Sequence, residues 1–120
     1  MLHIKSSDSV TIKSVQYKSL LSVLETVSQR IKDTYPEVNK IFLFGSFAKR
    51  NYTPESDVDI VIVVKQSSEP FLERSEPFLD FFTEIPFDIN LMVYTEEEIE
   101  KMLAEGNSFI KNVLADAIKL

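Results

Sequence analysis

The chain has 120 residues, 44% of them hydrophobic, and a net charge of −6, which suits one domain with its own core and disfavours binding nucleic acid through its phosphates. It has no cysteine, which removes thiol catalysis and zinc fingers, and a single histidine, His3 near the start, which argues against a Ser/His/Asp triad or a histidine-rich metal site, so carboxylates must carry most of any chemistry. No run approaches the roughly 20 apolar residues that span a bilayer, and MLHIKSSDS lacks the apolar block of a signal peptide; the expectation is a soluble, cytoplasmic protein with no membrane partner.

Leu2 and Ile4, then Val10 and Ile12, alternate around SSDS and predict a small hairpin. Val15, Leu20, Leu21, Leu24, Val27 and Ile31 follow at three- and four-residue spacings, the pattern of an amphipathic helix. Tyr35-Pro36 stops it, and KIFLF, residues 40–44, is a short buried strand ending at Gly45. Ser46 opens a short helix to about Arg50. A second strand is DVDIVIVV, residues 57–64, and a third is FDINLMVY, residues 87–94.

Between these strands SEPFLER is echoed by SEPFLDF, giving two helix starts, of which Ser75 is taken as the true one, with Phe78, Phe81 and Phe82 packed inward. Thr95 with Glu98 is a capping box for a helix to about Ala104, closed by Gly106. A last helix runs from Ser108 to about Ala117, with AIKL able to turn extended. The order predicts one α/β (α+β) domain over residues 1–120, a small mixed sheet flanked by helices.

Asp57 and Asp59 share one face of their strand, while Val58, Ile60, Ile62 and Val64 take the other. Two bare carboxylates entering a core are costly unless a cation or donors compensate, and magnesium accepts this donor set. The alternative is that both lie solvated in the loop, the strand starting at Ile60. Gly45 lets the backbone turn and approach a ligand, and the amides after Ser46 can bind phosphate, with Lys49 and Arg50 as local positive charge; the alternative is a plain capped turn. Asp88, Asn90 and Met92 share a face of the third strand, so pairing of the two strands would bring Asp88 to the aspartate pair; otherwise it is an acid at a strand edge.

Together, GSFAKRNYTPESDVDIVIV and the later FDINLMV resemble the polymerase-β-type nucleotidyltransferase superfamily: a glycine-serine turn, Asp-x-Asp on a strand and a third carboxylate on a later strand. In length and tail the chain resembles the minimal nucleotidyltransferases, single-domain proteins often paired as antitoxin with a HEPN-domain toxin. The resemblance covers about residues 35–120. It implies that Asp57, Asp59 and Asp88 are catalytic and bind two Mg2+ ions. Gly45, Ser46, Lys49, Arg50 and Ser56 would then bind the nucleotide. The family often has glycine where Arg50 stands, so either the loop is less open here or Arg50 itself meets phosphate.

The implied reaction transfers AMP from ATP to a hydroxyl. With no second domain to hold an acceptor, a protein partner, such as a HEPN toxin, is expected to supply it, in a homo- or hetero-oligomer; the final helical region around Phe109, Val113 and Leu114 is a candidate docking surface, the alternative being that these residues simply complete the core. A catalytically inactive binding module of the same fold is the alternative. A DxD glycosyltransferase would need a far larger domain.

Overall fold

A computed structural model describes residues 6–120, with side chains from residue 16 onward. The elements run α1 (Ser6–Thr34), β1 (Val38–Phe44), α2 (Gly45–Lys49), β2 (Val58–Val64), a 3₁₀ turn (Phe71–Glu73), α3 (Glu76–Leu79), a second 3₁₀ turn (Asp80–Phe82), β3 (Ile89–Thr95), α4 (Glu96–Ala104), α5 (Ser108–Asp116) and β4 (Ile118–Lys119). The sheet order is β3-β2-β1-β4, with β1 antiparallel to both β2 and β4 and β2 parallel to β3. The expected mixed sheet flanked by helices is present.

The predicted N-terminal hairpin is not. Residues 6–12 belong to α1, and Leu2 and Ile4 lie outside the described residues. Two short strands alone are marginal in water, and the sheet β3-β2-β1-β4 draws no strand from residues 6–12.

Strand β2 is covered on both faces. Val58, Ile60, Ile62 and Val64 pack with Leu24, Val27 and Ile31 of α1 and with Phe78 and Phe82. Val61 and Val63 form a smaller cluster with Val113 of α5, joined by Phe42, Phe44 and Ile99. A strand buried on both sides reads as a nearly continuous apolar run, as VIVV does. The second core is why α4 and α5 sit where they do.

The β2–β3 crossover differs from expectation. Helix α3 is a single four-residue turn that passes into 3₁₀ geometry, and Ser75 has αR backbone angles with no side-chain cap bond. Pro77 near the start of so short a turn supplies the φ restraint that the hydroxyl does not. Phe78 and Phe82 are buried, while Phe81 is only half-buried.

Arg74 ties this crossover to the sheet. Its Nη1 donates to Glu98 Oε1 at 2.6 Å and to the Val93 carbonyl at 3.4 Å, and its Nε donates to the Glu69 carbonyl at 2.9 Å. Glu98 is also the third residue of the expected capping box: its carboxylate accepts from Thr95 N at 2.8 Å, and Thr95 Oγ1 accepts from Glu98 N at 3.1 Å. Burial pushes the Glu98 carboxyl up, but the Arg74 hydrogen bond, the Thr95 bonds and the Arg74 charge outweigh it and hold it below its ordinary value of 4.5. A depressed carboxyl contributes stability above its unfolded pKa and loses it as pH falls through the folded one. Replacing Arg74 by Met is expected to lower stability by about 1–3 kcal/mol at pH 7, since the guanidinium is largely buried and Glu98 is partly open. The deficit should shrink below about pH 4.5, where wild type loses the same contribution; denaturant melts at pH 7 and pH 3.5 measure it.

Candidate active site

The register of β1, β2 and β3 lines up one row across the sheet. Phe44 pairs with Asp59, and Asp59 pairs with Asn90. Because Asp59 shares its face with Val61 and Val63, the row lies on the α4/α5 side, at the open end of β2. Asn90 Nδ2 donates to Asp59 Oδ1 at 3.2 Å.

The next residue after Phe44 must leave the sheet, and it does so at φ +73°. Gly45 meets two demands there. Its positive φ disfavours a side chain, and a Cβ would stand 2.1 Å from Asp59 Oδ2. The Asp59 carboxylate is thus held between an amide on one side and bare backbone on the other.

Asp57 and Asp88 lie one two-residue step back along β2 and β3. The ladder begins at Val58 and Ile89, with Val58 N donating to the Asp88 carbonyl at 2.8 Å. Both aspartates are exposed and line one open cleft of about 320 Å³ with Ser56, Pro54, Pro86 and Phe87. Among the described residues no group of three acidic or histidine side chains is gathered closely enough to cage an ion. The site therefore consists of two lateral pairs, Asp59 with Asn90 and Asp57 with Asp88.

Burial pushes the Asp59 carboxyl up from its ordinary 3.8, Asn90 pulls it partly back, and the neighbouring Asp57 charge raises it again. The remaining expected residues surround this centre. Ser46 is half-buried at the start of α2, and its carbonyl accepts from Asn51 N at 3.0 Å. Lys49 Nζ lies 3.8 Å from Asp116 Oδ2 on α5. Arg50 caps α2 with φ 61°, the left-handed conformation that favours glycine, and its guanidinium sits 4.3 Å from the Tyr17 ring centroid. Ser56 Oγ accepts from Thr53 N at 2.8 Å and closes the loop before Asp57.

Asn90 lies on the face that strand alternation gives it, beside Asp59, although the sequence motif assigns it no role. Its role rests on a cross-strand register between residues 31 apart, which local spacing does not contain.

Residues 24–120 match the nucleotidyltransferase domain family. The chain belongs to that family. A Methanocaldococcus jannaschii protein named "Putative protein adenylyltransferase MJ0604" is 35% identical over 79 residues, covering 66% of this chain and 74% of that protein. A crystal structure of a "putative nucleotidyltransferase from Sulfolobus solfataricus" superposes with a TM-score of 0.61 at 21% identity, covering 74% of this chain and 78% of that one. A toxin-antitoxin crystallised with AMP-PNP gives 0.55 at 17% identity, covering 82% and 69%. At these identities the two structures share the fold of this nucleotidyltransferase domain.

Two outcomes follow from the geometry. Gly45→Ala is expected to cost about 1–3 kcal/mol from the left-handed backbone and from displacement of Asp59; chemical denaturation reads the loss. Asp59→Asn without added metal is expected to leave the protein as stable or more stable at pH 7. A raised folded pKa means that the native state loses stability as pH rises from 3.8 through the folded value, so the advantage of the variant should vanish below about pH 3.8. Thermal melts from pH 3 to 8 check it, and a large loss at pH 7 would show that the ionised carboxylate is structural.

Proposed function

We propose that this chain is a Mg2+-dependent protein adenylyltransferase, acting in the cytoplasm as the antitoxin that transfers AMP from ATP to a hydroxyl of a HEPN-domain toxin. The observation that carries this reading is Asp59 seated against Gly45 and Asn90, beside the cleft shared by Asp57 and Asp88. The relative named as a protein adenylyltransferase supports the acceptor class, and the toxin-antitoxin structure with AMP-PNP supports the donor and the partnership.

The donor set fits a hard divalent cation. Two carboxylates share a strand face, and one of them is disfavoured as a bare anion by burial and by the other's charge, a condition that a bound cation relieves. Asp57 and Asp59 would hold the ions, and Asp88, which is not gathered with them in this structure, would have to draw in from the cleft wall to complete the set; when bound, the ions neutralise phosphate charge and favour ionisation of the attacking hydroxyl.

The chain's own residues do the rest. The turn at Gly45 and Ser46 offers backbone N–H groups to the β- and γ-phosphates, and the absent Cβ lets them come close to Asp59. Lys49 and Arg50 add positive charge on the flank, and Ser56 holds the loop that delivers Asp57. The acceptor oxygen attacks the α-phosphorus as the bond from that phosphorus to the α–β bridging oxygen breaks. A new P–O ester forms, pyrophosphate leaves, and the hydroxyl proton passes to Asp88, an exposed residue of the cleft lining. Orientation of the acceptor falls to the partner, since positioning can be worth some 7–11 kcal/mol of barrier.

The test is co-expression with the HEPN partner, purification of the complex and mass spectrometry of the partner after incubation with ATP and Mg2+. Wild type is expected to add one AMP per modified hydroxyl, and Asp57→Asn with Asp59→Asn to add none. Neutralisation of the toxin by the double variant without modification would overturn catalysis in favour of a binding module.

A further inference from the structure

We propose that Phe109 of α5 is the platform on which the nucleobase of the bound nucleotide stacks. The inference rests on the nucleotide site described above and assigns it a residue that the signature motifs do not contain.

Helix α5 faces the second core with Ile110 and Val113, both buried, whereas Phe109 beside them is 39% exposed. The ring is not loose on the surface. It meets Phe44 edge to face, with centroids 6.1 Å apart and planes at 88°. Phe44 in turn is the cross-strand partner of Asp59 and the residue immediately before Gly45. Directly opposed residues have Cβ atoms about 4.5–5.5 Å apart, so Phe109 stands one ring beyond the Asp59 carboxylate.

The helix carrying the ring is capped at its start and lies near α2 at its end. Asn107 Oδ1 accepts from Ile110 N at 3.0 Å, and Asp116 pairs with Lys49 of α2. An aromatic face held on a rigid element suits a planar, polarisable base, which gains from stacking without sequence-like readout of its edges. A purine attached through ribose to phosphates beside Gly45 and Asp59 reaches outward over Phe44 toward this ring. The same contact orients the α-phosphorus for attack.

The competing account is that Phe109 only covers Phe44. The variants separate the two, because Leu preserves an apolar cover and Trp preserves a stacking face. Affinities for ATP and for inorganic tripolyphosphate, each with Mg2+, are measured by calorimetry on the full chain. Phe109→Leu is expected to weaken ATP by about 5- to 100-fold and tripolyphosphate by under about twofold. Phe109→Trp is expected to keep ATP binding near wild type. As the chain has no other tryptophan, its fluorescence should be quenched by ATP and unchanged by tripolyphosphate.

Equal weakening of both ligands by Phe109→Leu, or of neither, would overturn the platform. So would fluorescence of Phe109→Trp that is indifferent to ATP. Asp59→Asn is the control for the site itself. If it abolishes binding of both ligands while Phe109→Leu alters neither, the nucleotide site stands and only the platform falls. Wild-type protein that binds neither ligand overturns both.

Discussion

The contact on which the rest depends is the one between Asp59 and the missing side chain of Gly45. Antiparallel pairing of Phe44 with Asp59 brings the last residue of β1 level with the carboxylate, so the chain must turn out of the sheet right beside it. Only a residue without Cβ can do so at φ +73° with Asp59 Oδ2 where it is. Sheet register, loop direction and placement of the carboxylate are therefore one decision. Moving any of them by a residue would exchange Asp59 with a core valine or isoleucine, because side chains alternate faces.

That coupling works because β2 cannot adjust. Six of its seven residues are buried, on two cores that different helices build. Asp59 is the half-buried exception near the start of the strand, and its unfavourable partial burial is borne by the packing of the remaining strand. A carboxylate positioned this way need not reorganise to meet a cation or phosphate, which is how preorganised electrostatics gain their effect. At the other end of β2, Arg74 anchors the crossover through Val93 and the α4 capping box. The site end stays open while the far end is bolted.

What could be read from the sequence was what is local. Period-two alternation separated Asp57 and Asp59 from Val58 and Ile60, the Thr95/Glu98 spacing marked the start of α4, and Gly45 marked the turn. Lateral facts escaped, because they depend on register between distant segments. The Asn90 bond to Asp59 and the reach of Arg74 to Glu98 are of that kind. The hairpin error had another cause: alternation over Val10 and Ile12 is too brief to decide between periods, and the helix following it simply extends backward to Ser6. Ser75 illustrates a third limit, since a serine before a Glu-Pro pair signals a cap but the turn formed with the hydroxyl unbonded.

Arg50 shows how the chain can depart from a glycine and keep the turn. A non-glycine residue in left-handed geometry costs about 1–2 kcal/mol, and a guanidinium over an aromatic face returns about 0.5–2 kcal/mol. The two terms nearly cancel, so selection for the side chain must come from what it joins. It sits on Tyr17, which stacks with Tyr52, which stacks on Phe47 of α2 at 4.3 Å. The residue that ends α2 is thereby packed on α1, while Lys49 one step earlier lies 3.8 Å from Asp116 of α5. A five-residue helix has too few internal hydrogen bonds to hold itself in place. Bracing from both sides is what lets so short an element present its first turn in a fixed direction toward Asp59.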